Sequence, residues 1–183
     1  ALLKNEISSV GTFVNKFENE VKKFTKSKYV LATNTGTSAI LTALIVLGIR
    51  NNDEVIMPSL NYIATANCVK LLGANLIYLD IEKSSLGLDP NKLEKFLIKN
   101  THIKGNHCFN NKTKKIIKCL NVLHTFGYSA NIHKIKKICK KYKIKILEDA
   151  AEALGSFYNK LHLGTFGDVG ILSFNGNKII TAG

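Results

Sequence analysis

Four stretches of this 183-residue chain set reactive residue types at turns. In TNTGTSAI, Thr35, Gly36, Thr37 and Ser38 stand where a short apolar run gives way to a helical pattern. Free backbone N–H groups, small hydroxyls and the positive end of a helix make such a turn a phosphate cradle, or equally a plain capped helix start. It is not a Walker loop, because the GK[ST] element is missing. In PSLNYIATANC, Tyr62 opens another helix, where its ring can stack on a flat ligand or simply pack. ILEDAAEALGS leaves Asp149 just past an apolar strand. A carboxylate buried there keeps its charge only with a partner: a protonated ring nitrogen, a neighbouring lysine or a helix start. In ILSFNGNKII, Lys178 follows Ser173, Gly176 and Asn177, residues small enough for a ligand to approach the backbone. A lone lysine is ordinary surface, but an unprotonated one is a nucleophile toward carbonyls. Cradle, ring, acid and amine together are the parts pyridoxal phosphate requires: an anchor, a stacking surface, a pyridinium partner and an aldehyde-binding amine.

These residues need elements to position them. Phe13, Val14, Phe17, Val21 and Phe24 recur at helical spacing, and YVLAT after them reads as a short strand. GTSAILTALIVLGI is apolar nearly all round and predicts a buried helix. Alternating units follow: strand EVIM, a helix from about Tyr62 to Leu71, strand NLIYLD, and a helix begun by Asp89 as cap and Pro90 in the first turn. THIKGNHCFNNKTK reads as a polar loop; His102, His107 and Cys108 lie in it without a second ligand cluster, so no metal site is expected. IIKCLNVLH is a strand, Ile132, Ile135, Ile138 and Tyr142 mark a helix with a lysine face, and KIKIL is a strand ending at Glu148 and Asp149. Short β-like runs broken by glycines occupy Gly155 to Phe174. Strands alternating with helices predict an α/β fold, a mostly parallel sheet with helices on both faces and ligands beyond the carboxyl ends of its strands. No internal repeat or linker divides the chain.

Composition narrows the function. Hydrophobic residues make up 45% and charged residues 21%, ordinary for a soluble globular domain. No apolar run reaches the roughly 18 residues of a membrane span. The net charge of +13 suggests a nucleic-acid partner, but Arg50 is the one arginine among 26 basic residues, and the lysines are scattered over helix faces. Neither nucleic acid nor membrane is expected as a partner. Cys68, Cys108, Cys119 and Cys139 form no CxxC and read as reduced cytosolic thiols.

Along almost its whole length the chain resembles the DegT–StrS family of pyridoxal-phosphate-dependent sugar aminotransferases. NTGTSA, DEVIMPSLNYIATAN, LLGANLIYLDI, LHTFGY, ILEDAAEALGS and GTFGDVGILSFNGNKIIT carry the resemblance in order. The polar insert and the FVNKFE stretch look most like the branch serving bacterial nonulosonic (legionaminic-type) acid pathways. The resemblance implies a fold type I large domain, with Lys178 as the Schiff-base and proton-transfer residue. Asp149 would hold the pyridine nitrogen protonated and Tyr62 would stack on the ring. Gly36, Thr37 and Ser173 would bind the phosphate. Glu152 stands where most relatives carry Gln or His near the cofactor's phenolic oxygen, and an acid there donates no hydrogen bond unless protonated. YSANIH departs from the usual proline- and aspartate-containing pattern.

The implied reaction moves an amino group from L-glutamate onto the C4 keto carbon of a nucleotide-linked 4-keto-6-deoxy sugar. A sister branch replaces the lysine with histidine and removes a hydroxyl instead, so Lys178 speaks for transamination. The resemblance further implies that residues 1–183 are the amino-terminal part of the large domain of a homodimeric protein. The rest of that domain and a smaller C-terminal one would lie beyond. An inactive fragment, or a basic binding module, is the non-enzymatic alternative.

Overall fold

A computed structural model describes residues 11–182. They fall into two compact units, dividing between Asn34 and Thr35. In the first, the helical spacing of Phe13 to Phe24 gives α1 (Thr12–Thr25), which ends on Lys26 in a left-handed conformation. Glu18 accepts from the amide of Ala32 at 2.8 Å, fastening the segment behind the helix to it. Residues 29–33, expected as a strand, are not one; Tyr29 is 78% exposed and Leu31 72%. Aromatic and branched residues make a strand only where a neighbouring strand takes up the ladder.

The second unit runs α2 (Gly36–Val46), β1 (Glu54–Pro58), α3 (Ile63–Leu71), β2 (Asn75–Leu79), α4 (Pro90–Asn100), β3 (Thr101–Lys104), β4 (His107–Asn110), β5 (Ile116–Leu123), α5 (Ile132–Tyr142), β6 (Lys145–Asp149), β7 (Phe157–Tyr158), β8 (Leu161–His162) and β9 (Val169–Ile171). The parallel strands lie in the order β2-β1-β5-β6-β9. As the alternating pattern required, the sheet has a core on each face. Ile56, Leu120, Val122 and Ile146 pack with Leu93 and Leu97 of α4 and Ile132, Ile135 and Ile138 of α5. Val55, Cys119, Leu147 and Ile171 pack with Ile40 and Leu44 of α2 and Cys68 and Val69 of α3. Asp89 caps α4 as its position before Pro90 predicts, accepting from the amides of Asn91 and Lys92.

Two further expectations change. The polar insert is an antiparallel hairpin, β3 with β4, turning at Gly105 and joined to the start of β5. Alternation drives it: Cys108 and Asn110 face inward, and Asn110 Nδ2 donates to the buried Glu54 at 2.9 Å. Lysines around the insert hide this pattern in the sequence. α2 buries one face only, leaving Ile45 56% and Val46 71% exposed. All four cysteines are free and buried, and burial pushes the Cys119 thiol up to about 12. Among the described residues no group of His, Cys, Asp or Glu is placed to hold a metal ion, and no helix is long and apolar enough to cross a membrane.

Candidate active site

Asp149 ends β6 between Leu123 of β5 and Ile171 of β9, and is 3% exposed. Its Oδ1 accepts from the Ala151 amide at 3.2 Å, while Oδ2 receives no hydrogen bond from the described residues. Burial pushes this carboxyl above its ordinary range, outweighing the Ala151 amide and the charge of Lys178. A buried carboxylate with one oxygen open is a socket for a cationic N–H donor.

The preceding residue points to the other face of the sheet, because side chains alternate along a strand. Glu148 is wholly buried and takes four donors: His124 Nε2 at 2.8 Å and the amides of Gly164, Phe166 and Gly167. Burial opposes its charge, yet these hydrogen bonds hold the carboxyl below its ordinary range. The Ala130 amide donates to His124 Nδ1 at 3.2 Å, so the ring's proton sits on Nε2. His124 and Glu148 thereby tie the turn after β5 to the loop before β9.

That turn reaches the amine. Glu152, just past β6, accepts from Lys178 Nζ through Oε1 at 3.1 Å and from the Phe126 amide through Oε2 at 3.1 Å. Phe126 lies in the left-handed region with φ 52 and ψ 26, a conformation costing a bulky residue about 1–2 kcal/mol. Gly127 follows at φ 81, and a Cβ there would come 2.8 Å from the carbonyl oxygen of Glu152. Only glycine lets the two turns close on each other. Phe126, Glu152, Asn177, Lys178 and Ile179 line one pocket.

The cradle lies at the start of α2. Thr35 caps the helix, its Oγ1 accepting from the Ser38 amide at 3.0 Å, while the amides of Gly36 and Thr37 have no acceptor within the helix. A Cβ on Gly36 would sit 3.6 Å from Ser173 Oγ, filling the gap between helix start and hydroxyl. Thr37 is exposed beside it. The structure therefore pairs Gly36 with Ser173, and Lys178 with Glu152 beside Asp149. Tyr62 stands 75% exposed past the carboxyl end of β1 and does not line the Lys178 pocket.

Residues 1–183 match the DegT/DnrJ/EryC1/StrS aminotransferase family. The chain belongs to this family. It is 36% identical over 177 residues to GDP-perosamine synthase of Escherichia coli O157:H7, covering 97% of this chain and 44% of that protein. It is 35% identical over 181 residues to the putative pyridoxal phosphate-dependent aminotransferase EpsN of Bacillus subtilis, covering 99% of this chain and 44% of the relative. The solved structure of NtdA from Bacillus subtilis, with bound cofactor PMP, superposes with TM-score 0.78 at 31% identity, over 94% of this chain and 35% of that one. The chain thus spans under half the length of these relatives.

For this family member, sequence reasoning left out His124, Glu148 and Phe126, three residues that hold the turns around Lys178. Glu148 carried a readable signal: two acids in a row after an apolar strand must face opposite ways, so the inward one needs its own donor. Phe126 carried none, since an aromatic before a glycine does not announce a left-handed backbone. Asn61 was also passed over; its side-chain amide is buried beside Tyr62 without a partner among the described residues, as is the hydroxyl of Thr65 one turn on.

Proposed function

We propose that this chain is the amino-terminal part of the large domain of a pyridoxal 5′-phosphate-dependent aminotransferase. Its reaction moves an amino group from L-glutamate to the C4 keto carbon of a nucleotide-linked 4-keto-6-deoxy sugar. The observation that carries the reading is the half-buried Lys178 amine, held by Glu152 in a pocket near an Asp149 whose second oxygen is open. The residues present fit the cofactor. Gly36, Thr37 and Ser173 would take its phosphate, Asp149 its ring nitrogen, Tyr62 its ring face and Lys178 its aldehyde carbon. When bound, the cofactor supplies an electron sink for the carbon that loses its proton. Lys178 carries that proton, and Glu152, anchored through Oε2 to the Phe126 amide, orients the amine while it does so. Asp149, in low dielectric, favours a positive charge at the ring nitrogen far more strongly than an exposed acid would.

Family membership and the likeness to a GDP-perosamine synthase support a nucleotide-linked keto sugar as acceptor. Placement in the legionaminic-type branch, within bacterial surface-glycan or nonulosonic acid synthesis in the cytoplasm, rests on the insert that forms β3–β4 and on FVNKFE. The homodimer is likewise our reading from the family resemblance. The test is product mass from the full-length protein given pyridoxal phosphate, glutamate and a nucleotide-linked 4-keto-6-deoxy sugar. A gain of the amino group with stoichiometric 2-oxoglutarate is expected; loss of a hydroxyl would assign the sister deoxygenation instead. Lys178→Arg in the same protein is expected to abolish the absorbance band of lysine-bound cofactor, and an unchanged band would end the assignment.

A further inference from the structure

The pocket at Lys178 has two chemically different sides. Glu152, Asn177 and Lys178 are polar, while Phe126 and Ile179 are apolar and 71% and 61% exposed. Phe126 is an unusual residue to find there. Its backbone is left-handed, and its amide is spent on Glu152. Outliers of this kind persist where the surroundings over-determine them, and they concentrate at ligand sites. Here the surroundings are explicit: His124, locked to Glu148 and Ala130, starts the turn, and Gly127 lets it close on Glu152. The consequence of that local strain is an aromatic ring displayed beside the amine instead of buried in the core.

We propose that Phe126 and Ile179 form the subsite for the deoxygenated C6 of the sugar, making Phe126 a specificity-determining residue for 6-deoxy substrates. This rests on the function proposed above. In a pyranose, C6 is two bonds from C4 and three from C3, so a reacting C4 at Lys178 brings C6 into the same pocket. A methyl group there loses only water against the two apolar side chains. A C6 hydroxyl would give up hydrogen bonds that neither side chain replaces, and a C6 carboxylate would also meet the Glu152 carboxylate. A single apolar group in such a pocket discriminates by about 10- to 200-fold.

The test is equilibrium binding to the full-length holoenzyme of matched sugars that lack the keto group and cannot react. These are GDP-6-deoxymannose against GDP-mannose, and the 6-deoxyglucose and glucose pairs on UDP and dTDP. On whichever nucleotide binds, the wild type is expected to favour the 6-deoxy member by about 10-fold or more. Phe126→Asn, which tolerates a left-handed backbone, should bring the pair to within about twofold, and Phe126→Leu should keep most of the preference. The lysine–cofactor absorbance band of each variant reports whether the pocket has stayed assembled. A wild type without preference, or a Phe126→Asn protein that binds cofactor and keeps the preference, overturns the subsite. A holoenzyme that binds none of the pairs overturns the nucleotide-sugar reading itself, and the subsite falls with it.

Discussion

Asp149 and Glu148 are neighbours in sequence, both buried, and their environments act in opposite directions. Burial with one open oxygen raises the Asp149 carboxyl, so as pH rises the unfolded chain gives up that proton first. The side chain therefore subtracts stability above the ordinary carboxylate range and subtracts none below it. Cofactor-free Asp149→Asn is expected to melt higher than wild type at pH 7, with the gain fading as pH falls through that range, while its affinity for pyridoxal phosphate drops. Thermal melts across pH check the first half and cofactor titration the second; a variant that melts lower at pH 7 would contradict the open-oxygen account. Glu148 has the reverse sign. Its lowered carboxyl adds stability above the ordinary range, and that contribution is lost as pH falls through its folded value. Glu148→Ala leaves His124 and three amides without their acceptor and should cost about 1–3 kcal/mol for each donor left unmet in denaturant unfolding at pH 7. At this scale the sequence was half legible. Asp149 and Lys178 stood out because an acid past an apolar strand and a lysine among small residues need reasons. His124 stayed hidden because its role depends on which strand lies next to which.

At the scale of elements, period decided what could be read. Apolar runs and helical patterns in alternation located β1, α3, β2, β5, α5 and β6, and the Asp89–Pro90 start located α4. The hairpin β3–β4 escaped because its inward residues are Cys108 and Asn110 rather than a run of large hydrophobics. Closure of the turns around Lys178 could not be read either, since it depends on backbone conformation at Phe126 and Gly127. That closure is testable by comparing two glycines of nearly equal backbone geometry. Gly127 and Gly155 have φ 81 and 82, but a Cβ at Gly127 would meet the Glu152 carbonyl at 2.8 Å, while one at Gly155 meets nothing within 4 Å. Gly155→Ala should cost about 1–2 kcal/mol of unfolding free energy, the backbone share alone. Gly127→Ala should cost clearly more and also weaken the lysine–cofactor band, because Glu152 must move. Equal effects in unfolding and in absorbance would show that the contact between the turns does not position Glu152.

For the molecule as a whole, the α/β organisation was legible and its surface was not. A helix apolar nearly all round, which reads as buried, shows Ile45 and Val46 to solvent, and Leu71, Ile179 and Ile180 are 74%, 61% and 58% exposed. Scattered exposed apolar residues are normal, but adjacent large ones on one helix act as association surfaces. The relatives are more than twice as long as this chain, and the additional length could cover such residues. The 183-residue chain by itself is therefore expected to associate with rising concentration, seen by size-exclusion chromatography with light scattering. Replacing both Ile45 and Val46 with lysine should suppress this, since lysine keeps helix propensity and adds charge to the exposed face. In the longer protein proposed above, the same double substitution is expected to lower the melting temperature instead, because lysines would enter a face that the additional length covers. If the isolated chain stays monomeric at every concentration, the outer face of α2 is simply solvated. If the full-length variant melts unchanged, that face is not covered in the complete protein.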